Sequence, residues 1–327
     1  MKKLLPTAPA LLLAFCCHAQ NDPVMLAPNW KVGDVRTLHI SKSLNETVND
    51  TVRINKTVSS DAPVKVTKNT ATAYTIEMPY QGGRLMKALQ ANLMGDYEGG
   101  GSEEFKLKPD LRYEVRKEDG RSDLVNWEDV QKYIVTELDT MRANSEDTTA
   151  TGKAMRLFLP MLGTKESVQW LVGDQIGWVT GVYGRTMLPK DTLHIEERII
   201  DPLLFRSGDS TTTKTSVTIS SLDLAKQRMV VRSEVHYNTK PYLERAKQEI
   251  LKSAGAGLKT EKQQIDAKNK AKAFVTSFEM TAKNLTNTTV NTRTSWPSKV
   301  VSNTTINSKR TGKRTAMVET WMVEVKE

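Results

Sequence analysis

The sequence predicts an α+β fold: a large antiparallel sheet with helices packed on its apolar face. Three observations predict it. Stretches rich in Thr, Val, Ser and Asn alternate apolar and polar residues with period two, and they recur early, late and in the middle of the chain. Short Asn-, Asp- and Gly-containing turns join them, as antiparallel meanders require. Amphipathic helical stretches fall between groups of strands, without the regular β-α-β alternation of a doubly wound nucleotide-binding fold.

The chain opens on a secretory signal. Lys2 and Lys3 form a charged start, Leu4–Phe15 is a short apolar run, and Cys17-His18-Ala19 ends in a small residue that a signal peptidase accepts. Cleavage after Ala19 is expected, with residues 20–327 forming a single domain. The run is too short to cross a bilayer, and no later run approaches the roughly 20 apolar residues a transmembrane helix needs. Cys16 and Cys17 both lie in the signal, so the mature chain has no cysteine and its stability must come from buried apolar area. Phe15 before Cys16 has the wrong bulk for a lipoprotein site, where a small residue is usual, so simple cleavage is the expectation over lipidation.

Losing Lys2 and Lys3 lowers the formal net charge of +9 by two. A moderately basic exported protein suits anionic partners such as lipid headgroups, lipopolysaccharide or acidic glycans. No basic motif with interleaved aromatics points to nucleic acid.

The elements follow in order. Strands are expected at Val35–Ser41, Thr51–Val58 and Ala73–Met78, with turns at Asn49-Asp50 and at Asp61-Ala62-Pro63. A helical insertion at about 84–94 carries Leu85, Met86, Leu89 and Leu93 on one side. A glycine-rich hinge follows at Glu98–Gly101. A strand pair comes next, Phe105–Leu107 and Leu111–Arg116, with Asp119-Gly120 as a tight turn. The second insertion, 126–183, starts at Asn126 as N-cap, with Glu128 and Asp129 in the first turn. Trp127, Val130, Ile134, Leu138 and Met141 form its apolar stripe. A helix at Ala154–Leu162 and another after Thr164 follow, the latter turning Val168, Leu171, Val172, Ile176 and Val179 inward. Gly173, Gly177 and Gly181, four apart, would form a smooth strip on that helix, or else mark turns between short elements.

Strands are expected again at Thr192–Ile200, Thr213–Ser220 and Met229–Tyr237. The third, lysine-rich insertion spans 241–278, is broken at Gly255 and Gly257, and has Leu243, Ala246, Ile250 and Leu251 inward. Strands Phe278–Ala282, Thr288–Thr294, Lys299–Ile306 and Thr315–Val325 close the chain, the last two joined by the turn Lys309–Arg314.

Candidate chemistry is sparse. His39, His194 and His236 each sit between apolar strand residues. Three imidazoles could hold zinc, but no pair has i, i+4 spacing, so ordinary strand positions are expected. Gly208-Asp209-Ser210 and Asp191-Thr192-Leu193-His194 resemble pieces of the GDSL esterase motif in reversed order. A polar Ser/Thr run after Gly208 reads instead as a solvated turn, so Ser210 is not a nucleophile. The adjacent carboxylates Glu103-Glu104 and Glu196-Glu197 point to opposite faces of a strand and cannot act jointly. Neither a catalytic residue, a metal site nor a cofactor is assigned. Sequons at Asn45, Asn49, Asn55, Asn284, Asn287 and Asn303 arise readily in Asn- and Thr-rich strands. Asp50-Thr51-Val52, Asp191-Thr192-Leu193 and Asp209-Ser210-Thr211 resemble a short bacterial O-glycosylation motif and are too brief to be specific.

Two speculative sites remain. Trp127, Trp170, Leu171 and Trp178 are the residues expected to line an apolar cleft, if they do more than fill the core. Lys309, Arg310, Lys313 and Arg314 around Gly312 could contact an anionic surface, if they are more than a solubilising hairpin tip.

Trp30-Lys31-Val32-Gly33-Asp34-Val35, Leu111–Val115 with Asp119-Gly120, Asn126-Trp127-Glu128, and Trp296-Pro297 resemble the opening, middle and ending of uncharacterised exported β-rich proteins of Gram-negative bacteria. Several such families are thought to share the half-barrel of lipoprotein-carrier proteins. The resemblance implies a curved sheet closed by helices over an apolar cavity, and transfers no functional residue. The expectation is an exported, non-enzymatic binding protein of the cell envelope holding an apolar or lipid-like ligand. An envelope hydrolase with scattered catalytic residues and a structural interaction module are the alternatives.

Overall fold

The computed structural model describes residues 23–80, 109–143, 163–172, 176–189, 191–200, 210–254, 260–310 and 312–326. Eleven strands form one antiparallel sheet: β2 (Val35–Val48), β3 (Thr51–Asn69), β4 (Ala73–Met78), β5 (Leu111–Arg116), β6 (Ser122–Leu124), β8 (Thr192–Ile200), β9 (Ser210–Asp223), β10 (Arg228–Tyr237), β11 (Glu279–Asn291), β12 (Pro297–Arg310) and β13 (Lys313–Lys326). A separate two-stranded ribbon pairs β1 (Val24–Met25) with β7 (Thr186–Met187). The strand order is β6-β5-β4-β3-β2-β13-β12-β11-β10-β9-β8. The first meander, β2 to β6, and the last, β8 to β13, therefore run away from a shared seam where the final strand lies beside β2. The sheet is open, with β6 and β8 at its ends.

Between the meanders lie α1 (Trp127–Ala143), α2 (Lys165–Val172) and α3 (Gly177–Thr180); α4 (Lys240–Ser253) and α5 (Glu261–Thr276) connect β10 to β11. Val130 and Ile134 of α1, Val168 and Val172 of α2, and Ile176 and Val179 beside and in α3 are buried in one core with Leu38, Val64, Ile76, Tyr113 and Val300 of the sheet. This is the expected arrangement of helices on an apolar face.

Cross-strand register shows where that core ends. Ile40, Val323, Val300, Thr288, Val231 and Ile219 stand side by side across six strands, and all are buried. Two residues further along, the same face becomes polar. Two residues beyond that, it becomes a mixed, half-buried face, described below.

The local chemistry explains most elements. Asn49 and Asp50 adopt φ of 47° and 64°, the doubly left-handed geometry that a two-residue hairpin needs, and Val48 pairs with Thr51 across them. Gly120 and Gly184 let two turns interlock. A Cβ on Gly184 would stand 2.1 Å from the Glu118 carbonyl oxygen, and one on Gly120 would stand 2.6 Å from the Thr180 carbonyl oxygen.

Several expectations are corrected. Asp61-Ala62-Pro63 is not a turn, because β3 runs straight through it. Pro63 is tolerated since β4 pairs only with Lys65–Asn69, so that among the described residues no strand on that side needs its missing N–H. The two strands expected at Phe278–Ala282 and Thr288–Thr294 are one long strand, β11 (Glu279–Asn291). Asn126 does not cap α1 with its side chain. Its carbonyl accepts the Arg112 N–H at 2.9 Å and its amide donates to the Asp110 carbonyl at 2.8 Å, tying the helix start to β5. The stretch after Thr164 is not one continuous helix: Ile176 is the N-cap of α3 (Gly177–Thr180) and Gly181 its C-cap, while Gly173 lies outside the described residues. Leu251 is exposed, not inward. Lys309, Arg310, Lys313 and Arg314 are strand residues rather than a loop, since Lys309 pairs with Arg314 and Arg310 with Lys313. The expected elements at 84–94, 98–101, 105–107 and 154–162 lie outside the described residues, as do Glu103, Glu104 and Gly208.

Candidate ligand-binding face

Beyond the buried row, the core-side face carries a belt of polar groups that satisfy one another. Lys42, Trp321, Ser302, Thr286 and Ser233 lie in register, followed by Leu44, Glu319, Thr304, Asn284 and Val235. The Asn284 amide donates to the Ser302 hydroxyl at 2.8 Å and to the Thr304 hydroxyl at 3.0 Å. The Thr286 hydroxyl lies 2.9 Å from both the Asn284 carbonyl oxygen and the Ser302 hydroxyl. Asn284, Thr286, Ser302 and Thr304 thus find partners on a neighbouring strand, which removes most of the cost of taking them from water.

The centre of the belt is an ion pair. Lys42 Nζ lies 2.6 Å from Glu319 Oε1, with side-chain exposures of 13% and 21%. Trp321 Nε1 donates to the same carboxylate oxygen at 2.6 Å, and the Lys42 ammonium stands 4.5 Å from the Trp321 ring centroid. Trp178 of α3 packs on Trp321 with centroids 4.6 Å apart. An ammonium so shielded is held by charge pairing and by the face of the indole. Removing either partner would strand the other in a poorly solvated place.

Past the belt the apolar character returns. Met317, Ile306 and Ala282 stand in register and are half-buried, as are Leu44 and Val235 one row earlier. Tyr237, 37% exposed, stands at one end of this outer row and half-buried Glu46 at the other. The described part of the face is thus a largely apolar strip with Glu46 at its β2 end, incompletely packed and bordered by the polar belt that holds the Lys42–Glu319 pair.

Of the expected cleft residues, Trp178 is brought to the belt. Trp127, the first residue of α1, is half-buried against the core, and no ring contact joins it to Trp178. Trp170 and Leu171 lie in α2, and their side chains lie outside the described residues. Sequence reasoning missed Lys42, Glu319, Trp321 and Asn284. The signal was there for two of them: Glu319 and Trp321 are two apart in a strand and must share a face.

The basic tip lies at the same end of the sheet as this strip. Lys309 and Arg314 border a cleft of about 390 Å³ together with Glu279 and Asp50, with Thr47 and Thr281 also lining it. The Arg310 guanidinium sits 4.2 Å from the ring centroid of Phe274 in α5.

The three histidines do not converge. His39 pairs with Asp61 at 2.7 Å, His194 with Ser216 at 3.2 Å and His236 with Glu234 at 3.1 Å, all on the face away from the core. Four strand spacings, roughly 19 Å, separate β2 from β10. Among the described residues no group of three metal-ligating side chains occurs. Among them, too, no helix is long and apolar enough to cross a membrane.

In comparison with known proteins, no family model matches the chain, and no curated protein sequence does.

Proposed function

We propose that this is an exported, non-enzymatic binding protein of a bacterial cell envelope, which holds an apolar or lipid-like ligand on the core-side face of a curved, half-barrel-like sheet. One observation carries the reading. Leu44, Met317, Ile306, Ala282 and Val235 form an apolar strip on the same face as the sealed core, yet they stay half-buried. Contiguous apolar side chains left partly open mark ligand grooves and interaction sites, whereas singly exposed ones need no explanation. The Lys42–Glu319 pair at its border offers both charges to a ligand headgroup, while Trp178 and Trp321 provide an aromatic wall. Residues 1–19 support export, since their charged start, short apolar run and small terminal residue are what a secretory signal requires.

The test begins with the full chain expressed in a Gram-negative host. Protein recovered from the envelope should start at Gln20, and native mass spectrometry should find it carrying a lipid-sized adduct. After delipidation it should bind an environment-sensitive apolar dye, with a change in Trp178 and Trp321 emission. Met317→Lys with Ile306→Lys should abolish dye binding while leaving circular dichroism unchanged. A dry protein that binds no dye, or a double variant that binds it as well as the parent, would refute the reading.

A further inference from the structure

The end of the sheet beyond the polar belt gathers a cluster of exposed cations. Near the core end several cations are paired, Arg116 with Asp119 at 2.6 Å, Lys165 with Asp123 at 2.5 Å and Lys226 with Asp223 at 3.5 Å, while exposed Arg228 and Arg293 make no ion pair among the described residues. At the far end, Arg53, Lys56, Lys309, Arg310, Lys313 and Arg314 are all exposed, and among the described residues none of the six makes an ion pair with a carboxylate. They come from two adjacent hairpins, β2–β3 and β12–β13, whose tips are aligned because Val48 pairs with Thr315. The exposed carboxylates among them are Asp50 and Glu279.

Apolar side chains stand beside these cations on both faces of the β2–β3 hairpin. Val58 is 65% exposed and shares the core-side face with Lys56, whereas Val52 is 58% exposed next to Arg53 and faces the other way. They are open because β4 covers β3 only from Lys65 onward, so the β2–β3 hairpin overhangs its neighbour. The Arg310–Phe274 contact fixes the last turns of α5 beside the tip, and exposed Lys268, Lys270 and Lys272 extend the basic surface along that helix. Cations interleaved with exposed valines match a surface that offers phosphate first and acyl chain just beneath. A purely hydrophilic polyanion would leave the valines without a role.

We propose that the overhanging β2–β3 hairpin, the β12–β13 tip and the end of α5 form a docking surface for an anionic phospholipid bilayer. Lys56 and Val58 lie beside Leu44 and Lys42 of the ligand face, but the vesicle assay needs no bound ligand, so the two readings fail separately. The full chain should float with vesicles of equal parts phosphatidylcholine and phosphatidylglycerol, stay behind with phosphatidylcholine alone, and detach as salt is raised. Replacing Lys309, Lys313 and Arg314 together by Gln should weaken binding roughly a hundredfold, about fivefold per charge. Val52→Ser with Val58→Ser should weaken it a few-fold, and Lys226→Gln at the core end should change nothing. Circular dichroism of each variant checks that the fold is intact. Equal binding to neutral vesicles would overturn the proposal, as would a triple variant that binds like the parent. Complete displacement from vesicles by alginate, a polyanion without acyl chains, would overturn it in favour of a polysaccharide surface.

Discussion

The two ends of the sheet are built from the same long strands in the same register, and they solve opposite problems. At the core end, Trp30 is 1% exposed and stacks on Trp296 with centroids 4.5 Å apart. It also meets Tyr74 at 5.3 Å and Tyr183 at 5.4 Å. The Tyr74 hydroxyl donates to the Pro28 carbonyl at 3.0 Å, and the Tyr183 hydroxyl donates to the Ser295 carbonyl. Four aromatic rings from the segment before β2, from β4, from the chain after α3 and from the β11–β12 turn thus close one box. At the far end, Val52 and Val58 stand in solvent near exposed cations that make no ion pair among the described residues. A strand carries side chains of either kind at any point along its length. What changes between the ends is which neighbours cover it, so buried apolar area concentrates at one end and leaves apolar side chains open at the other.

The contrast is sharpest in mutational cost. Trp30→Ala should destabilise by about 4 kcal/mol, as expected for emptying a filled aromatic box, whereas Val58→Ala should stay within about 0.5 kcal/mol. Urea unfolding of the two variants measures both, and comparable losses would break the division. A smaller effect of the same kind separates two glycines with nearly the same backbone. Gly184 has φ of 70° and Gly312 has φ of 77°. A Cβ at Gly184 meets the Glu118 carbonyl oxygen and the Asp119 backbone, whereas nothing lies within 4 Å of one at Gly312. Gly184→Ala should therefore cost about 3 kcal/mol from strain plus collision. Gly312→Ala should cost about 1 kcal/mol from the left-handed backbone alone. Thermal melts of the pair test whether the ends differ in packing or only in composition.

Much of the fold was legible in the sequence. Period-two alternation located β2, β8, β10 and β13, and the Asn49-Asp50 turn followed from residues that tolerate positive φ. The failures share a cause: local residues signal what they prefer, whereas neighbours decide what is permitted. Pro63 reads as a breaker, but at its position no strand asks for its N–H. Asn126 reads as a cap, but the β5 backbone claims its amide first. The candidate face was less legible still. Lys42 and Glu319 are far apart in sequence, and only the β2–β13 seam sets them side by side. A strand reveals which of its own residues share a face. It does not reveal which strand lies next to it.

Alkaline pH should sharpen the contrast between the ends in a different way. Burial drives the Tyr183 hydroxyl well above its usual pKa, because a phenolate in the aromatic box would be poorly solvated. In the unfolded chain the same group ionises at about pH 10. Below that pH both states hold the proton, and Tyr183 adds no pH dependence. Above it the unfolded state releases the proton while the folded state keeps it, so stability falls by about 1.4 kcal/mol per pH unit until the folded pKa is reached. Tyr183→Phe removes the ionisable group along with its bond to Ser295. The variant should be less stable near neutrality by about 1 kcal/mol, and its stability should fall less steeply above pH 10, so the two curves converge. Urea midpoints measured from pH 8 to pH 11 follow both proteins through that window. Parallel curves would mean that the hydroxyl titrates alike in both states, and that the box is not the sealed end of the molecule.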